Sequence, residues 1–310
     1  MWTIFLYVFT ILCSVGQSTL TKLNSKKNGS AAAYNFLKSA GFLLILLAIF
    51  AFDRTANLPT LAYGAVFGCL LVIANLCGYY ALQEGPMALT SMLVTFSLLL
   101  PYAYGVAALG ETPSVPQIVG ICLFFVSLVL IRSDSFGASR QNSSARISGK
   151  WALLTFATLI ANGLSSIVQK LHQVKFPGLY SAEFTSVAGI VNCIVFGILF
   201  LIALMRAGHS SPEPVVPSGS EEAPARHGFR NAFAASLILG GLAGVLNGTF
   251  NFTQLRLAAT EDASILYPVI SAGVMLCVFL TGRLFFKEKM NRLQTLGFAV
   301  GVSAVILLKL

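Results

Sequence analysis

Phe286-Lys287-Glu288-Lys289-Met290-Asn291-Arg292 stands 177 residues after Leu109-Gly110-Glu111-Thr112-Pro113-Ser114-Val115, and the two stretches differ mainly in charge. Each sets a glutamate just before a short apolar run, with a glycine (Gly120 or Gly297) nine residues further on. The first stretch holds no Lys or Arg. The second, with Arg283 just upstream, holds four. Equivalent turns of opposite charge are expected where two copies of one helical unit cross a membrane in opposite directions.

Other matches extend the repeat. At an offset of 148, Ser18, Lys22, Phe36, Ala40 and Gly41 fall on Ser166, Lys170, Phe184, Ala188 and Gly189. At an offset of 176, Gly64, Gly68 and Asn75 fall on Gly240, Gly244 and Asn251. A polar insertion at 207–230, rich in Pro, Ser and Glu, explains the longer second offset and reads as a mobile loop.

The composition requires a bilayer. The chain is 56% hydrophobic and 10% charged, with a mean hydropathy of +0.81, against about a quarter charged in a soluble domain. A soluble core cannot absorb that much apolar surface. The net charge of +9 does not point to nucleic acid, because the charges lie between apolar runs and form no basic face. All six cysteines lie within apolar runs, where no extracytoplasmic disulfide is expected. No close Cys/His pair suits zinc, so neither a metal nor a cofactor is expected. Residues 1–20 have no basic residue before them and Lys22, Lys26 and Lys27 after them. This is the reverse of a signal peptide, so the segment reads as the first membrane helix.

About 20 apolar residues span the hydrocarbon core as a helix. Ten such runs are expected: 2–21, 31–52, 58–82, 86–109 and 115–131, then 151–173, 180–205, 231–258, 263–286 and 293–308. The fold class is therefore an all-α integral membrane protein with ten transmembrane helices in two inverted five-helix repeats. The first repeat is 1–131, the connecting loop 132–150, and the second repeat 151–310. The odd-numbered connections carry 14 of the 20 Lys and Arg, which puts them in the cytoplasm and both termini outside. An odd number of helices per unit forces the second unit to enter upside down.

Gly64-x-x-x-Gly68 and Gly240-x-x-x-Gly244, extended by Gly248, place small residues on one helix face and read as helix-packing seams. Glu111 and Glu288 read as caps at the starts of the helices that follow them. Glu183 reads as interfacial. Pro101 and Pro268 are expected to kink or break their helices. Four glycosylation-like triplets fall in predicted cytoplasmic or membrane segments and read as chance.

Polar residues at mid-membrane are the site candidates. An amide facing lipid is left unpaired at a cost of several kcal/mol, so these groups should face a cavity or another helix. They are Gln17, Ser18, Asn75, Tyr79, Asn162, Ser166, Asn247, Asn251 and Tyr267. Lys38 joins them as the one cation clearly inside a run, about 10 Å past Ala31 at about 1.5 Å per residue. The alternative for Lys38 is a stem that snorkels to the interface.

The chain resembles the drug/metabolite transporter superfamily, in its ten-helix EamA-type members. Leu109-Gly110-Glu111-x8-Gly120 and Phe286-Lys287-Glu288-x8-Gly297 carry the resemblance, with Leu266-Tyr267-Pro268-Val269. The first repeat departs from it, having Val94-Thr95 where Tyr-Pro would align. The resemblance implies a basket of helices around a central cavity, with the last helix of each half at the periphery. It also implies movement of small metabolites or drugs, often export. Small multidrug relatives use a glutamate in the first helix for proton exchange. No acid stands there in this chain, so that mechanism is not carried over, and the choice of proton or other ion for coupling stays open.

The expected function is therefore secondary transport of a small organic solute by alternating access, with export as the direction. The expected partners are that solute and the bilayer, with the chain acting as a monomer or homodimer in a cell membrane. No phosphate-binding GxxxxGK[ST] sequence supports a primary pump. The rivals are a flippase for a lipid-linked or amphipathic substrate, a membrane enzyme acting on lipid phosphates, and a scaffold. The enzyme would need acids, His or Arg clustered at one interface, and here they are scattered.

Overall fold

A computed structural model describes residues 2–26, 31–52, 57–84, 90, 93–131, 148–209, 224–286 and 292–308. These residues are helical almost throughout and contain no strand. In chain order the α-helices are α1 (Trp2–Lys26), α2 (Ala31–Phe52), α3 (Leu58–Glu84), α4 (Leu99–Ala108) and α5 (Val115–Ile131). The second set is α6 (Gly149–Lys175), α7 (Ser181–His209), α8 (Pro224–Ala258), α9 (Ala263–Phe286) and α10 (Arg292–Leu308).

Six of them are long and apolar enough to cross a membrane: α1, α2, α3, α6, α7 and α9. The shorter apolar helices are Leu93–Ala108, Val115–Ile131 and Arg292–Leu308. α8 is longer still and carries Asn247, Asn251, Gln254 and Arg256 in its second half. Several helices run past the expected apolar limits, α1 to Lys26 and α3 to Glu84. Continuing the helix through the headgroup zone keeps the backbone N–H and C=O groups paired. The expected loop at 207–230 is shortened from both sides, since α7 runs to His209 and α8 starts at Pro224. The intervening residues 210–223 lie outside the described residues, as do the turn at 287–291 and most of 132–150.

Neither proline ends its helix. α9 runs unbroken through Pro268. In the other half, the chain tightens into a 3-10 turn at Phe96–Leu98 before Pro101 in α4. Proline removes one N–H, and a tighter turn just upstream absorbs the mismatch.

The main helix contacts cross between the halves. α2 packs along α8, α3 along α6 and α7, α1 along α8 and α9, and α4 on α9. α5 pairs with α10 away from the centre. There the Ser127 hydroxyl donates to the Gly297 carbonyl at 2.6 Å.

The glycine seams account for the closest approaches. A methyl group on Gly244 would meet the Lys38 carbonyl, the Phe42 nitrogen at 2.8 Å and the Gly41 Cα at 2.9 Å, all of them backbone. One on Gly64 would stand 2.6 Å from the Phe184 carbonyl, and one on Gly68 2.9 Å from the Ala188 Cα. In lipid the hydrophobic effect does not drive helices together, so this dispersion contact between backbones has to do so. The outer faces are apolar in helical register. On α7, Ile194, Ile198, Leu201 and Met205 are each more than half exposed, the pattern of a lipid-facing stripe.

Gly244→Ala should lower stability by about 1–3 kcal/mol, because backbone cannot give way to the added methyl. Gly241→Ala, three residues earlier on the same helix, has open space at its methyl position. It should be neutral or stabilising by up to about 1 kcal/mol through helix propensity. Thermal unfolding of the detergent-purified protein checks the contrast, and an equal loss in both variants would contradict the seam.

Candidate functional site: a carboxamide-lined cavity

Three helices turn the same kind of face toward the centre. α2 contributes Asn35, Lys38, Ser39 and Phe42; α6 contributes Asn162, Ser165, Ser166 and Gln169; α8 contributes Asn247, Phe250, Asn251 and Gln254. Each set is spaced i, i+3, i+4, i+7, a single stripe of an α-helix. Gln17 of α1, Phe67, Leu71 and Asn75 of α3, Asn192 and Phe196 of α7, and Ser97 complete the wall. The cavity they enclose measures about 280 Å³. Nine of its lining side chains are carboxamides, and Lys38 is its one charged residue among the described residues.

Several of these amides are pinned to backbone. Asn75 donates to the Leu71 carbonyl at 2.8 Å. Asn192 donates to Ala188 at 2.9 Å and to Gly68 at 3.3 Å. Asn251 donates to the Asn247 carbonyl at 2.8 Å and to its side-chain oxygen at 3.1 Å. Both N–H donors of Asn192 and Asn251 and one of Asn75 are thus engaged, which leaves their side-chain oxygens for other partners. Two amide atoms in the wall have none: Gln17 Oε1 and Gln169 Nε2 are buried and unpaired.

The cavity has an open side. A second space of about 680 Å³ shares Gln17, Ser97, Asn162 and Phe250 with the first. It runs on past Ser18 and Thr19 of α1, Thr95, and Ser271, Met275 and Thr281 of α9 to Ile131 at the end of α5. These residues lie toward the helix ends that lead into the odd-numbered connections.

The opposite end is closed by hydrogen bonds. The Lys170 ammonium donates to the Glu261 carbonyl at 2.5 Å and to the Ala258 carbonyl at 3.3 Å, and lies 3.9 Å from the Glu111 carboxylate. Glu111 accepts the backbone N–H groups of Ala263 and Ser264, each at 2.8 Å. It therefore caps α9, at the positive end of that helix dipole, and not its own helix α5 as expected. At α5 the cap is Gln117, whose side-chain oxygen accepts the Ser114 N–H at 2.9 Å. Gly105 makes room for the carboxylate, since a methyl there would overlap Glu111 Oε2. Tyr7 donates to the Glu261 carboxylate at 2.8 Å, and Tyr267 donates to the Ser166 carbonyl at 2.6 Å. Glu183, buried at the start of α7, accepts the Asn57 N–H.

Of the candidates named from sequence, Gln17, Lys38, Asn75, Asn162, Ser166, Asn247 and Asn251 line the cavity. Ser18 lines the adjoining space, with its hydroxyl on the Ser14 carbonyl. Tyr267 lies in the closed end, and the side chain of Tyr79 falls outside the described residues. Asn35, Gln169 and Asn192 were missed. Asn35 stands three residues before Lys38 and Gln169 three after Ser166, so extending each helical stripe by one turn would have found both. Asn192 had no such signal, because no other residue of α7 had been singled out as cavity-facing.

Residues 1–133 match the model of the EamA-like transporter family. This part of the chain is EamA-like, as the resemblance implied. The match likens this part of the chain to a family of transporters, and the apolar helices agree with a membrane protein. An uncharacterized protein of Haemophilus influenzae is 24% identical over 97% of this chain and 96% of its own length. An uncharacterized protein of Methanocaldococcus jannaschii is 27% identical over 29% of this chain and 68% of its own length. A protein crystal structure 14% identical to the chain shares its fold, with a TM-score of 0.65 over 98% of each chain.

If Glu111 and Gly105 meet as described, their substitutions should not add. Gly105→Ala should destabilise the protein by about 1–3 kcal/mol through overpacking. In a Glu111→Ala background the same change should cost about 1 kcal/mol less, because the carboxylate is gone and the Ala263 Cβ, at 3.1 Å, is what remains in the way. Unfolding of the four proteins of the cycle measures the difference, and strict additivity would refute the contact.

Proposed function

We propose that this chain is a secondary transporter that moves a small organic solute by alternating access between two inverted five-helix halves, 1–131 and 151–310, joined by 132–150. The observation that carries it is a polar cavity between the halves, barred at one end and continuous with open space toward the other. Alternating access requires such a site at the repeat interface.

The packing supports a twofold repeat, and the odd number of helices per unit makes it an inverted one. Exchange of α1–α5 with α6–α10 turns the α1–α8 contact into α6–α3, α2–α8 into α7–α3, and α1–α9 into α6–α4. All of these pairs occur. The exchange returns α5–α10, α2–α7 and α4–α9 to themselves, and these occur too. Cavity positions also correspond: Asn75 pairs with Asn251 and Gln17 with Ser165 at the repeat offsets. With the odd-numbered connections cytoplasmic, the described state is open to the cytoplasm and closed outside, and both termini face outward.

Single-cysteine labelling in oriented vesicles tests the cycle, using a background in which the six native cysteines are replaced. Thr281→Cys and Ser271→Cys line the open space and should react with an impermeant maleimide supplied from the cytoplasmic side. Adding Lys170→Ala removes the ammonium from the closed end and should raise labelling of Ser271→Cys from the outer side several-fold, with a matching fall from the inner side. Labelling from both sides at once would indicate a channel, and outer-side labelling that Lys170→Ala leaves unchanged would sink the assignment of the barrier.

A further inference from the structure

The structure assigns this cavity to a small organic anion whose uncharged body carries several O–H or N–H donors, such as a hydroxylated carboxylic acid. The inference rests on the transporter reading and names the chemistry of its cargo.

The charge comes first. Lys38 lines the cavity and has neither a hydrogen bond nor an ion pair among the described residues. No Asp or Glu lines the wall with it. An ammonium set within a membrane helix and left without a counterion is costly. The position equivalent to Lys38 in the other half is Ser186, and its hydroxyl is already spent on the Leu46 carbonyl. The site therefore has one positive pole, on one side, and a bound anion would neutralise it.

The second observation concerns the body of the ligand. Asn192 and Asn251 have both NH2 donors engaged and Asn75 has one, so the side-chain oxygens of all three stand as acceptors that suit ligand hydroxyl or N–H groups. Gln169, 2% exposed, keeps an unpaired N–H donor in the same wall. A purely apolar anion would leave these groups unmatched, and a site built around polar groups discriminates against ligands that leave them unpaired. At about 280 Å³ the space lies near the lower bound of ligand pockets, roughly 300–1,000 Å³. It suits a solute better than a lipid.

Four probes of similar length separate the features: gluconate, its neutral counterpart sorbitol, cationic N-methylglucamine, and hexanoate, which has the carboxylate without hydroxyls. The readout is the thermal stability of the detergent-purified full chain, since a ligand stabilises by mass action. Gluconate should raise the midpoint by several degrees at millimolar concentration. Sorbitol and hexanoate should need at least tenfold more for the same shift, and N-methylglucamine should give none. Lys38→Met should abolish the preference of gluconate over sorbitol, and Lys38→Arg should keep it. The wild-type probe order decides the matter by itself if the methionine variant does not fold.

Equal shifts from gluconate and N-methylglucamine, or a gluconate preference that survives in Lys38→Met, would overturn the anion assignment. Hexanoate matching gluconate would overturn the hydroxylated body. A larger shift from dodecyl phosphate than from any of the four would replace the solute with a lipid headgroup. Gluconate binding without any change in the side of cysteine labelling would keep this inference and count against alternating access; normal alternation with no gluconate effect would do the reverse.

Discussion

The bundle depends on two crossings in which backbone touches backbone. Gly41, Gly240 and Gly244 bring α2 against α8, and Gly64 and Gly68 bring α3 against α7. Any side chain larger than hydrogen at Gly244 would push the helices apart by at least a methyl radius. Because these crossings lie between the halves, they set how near α3 and α8 can come, and hence the width of the space left among α1, α3, α6 and α8. The cavity is what remains once the small residues have closed the seams around it.

Polarity then decides which way each helix turns. An unpaired amide in hydrocarbon costs several kcal/mol, so a helix with three or four polar residues on one stripe has one good rotational setting. α6 and α8 are such helices, and their stripes meet across the cavity. α7 has one large polar residue deep in its length, Asn192, and otherwise presents a lipid-facing column from Ile194 to Met205. The same rule lets α8 carry Asn247, Asn251 and Gln254 while sitting at the centre of the bundle. Its polar side is sheltered by its neighbours.

Much of this was legible in the chain itself. Helix positions followed from apolar run length, and the glycine seams from their recurrence at the repeat offset. Seven of the ten candidate site residues line the cavity, because polarity at mid-membrane is a strong signal in a 56% hydrophobic sequence. What escaped depended on tertiary partners. Glu111 looked like the cap of the next helix, and its position before α5 supported that; its actual partners, Ala263 and Ser264, lie about 150 residues away and are found only once the halves are assembled. Asn192 escaped because its repeat counterpart is Leu44, so comparing the halves gave it no support.

The unequal partners Lys38 and Ser186 give the bundle an electrical asymmetry. On the alternating-access reading, the empty carrier moves a net charge that the anion-loaded carrier does not. Membrane voltage then acts on the return stroke and leaves the loaded stroke nearly untouched. A full crossing of one charge through 100 mV corresponds to about 2.3 kcal/mol, of which Lys38 would sense only the fraction of the field it traverses. An inside-negative potential pulls that ammonium toward the cytoplasm. Voltage would thus rest the empty protein in the cytoplasm-open form and set the pace at which it reloads.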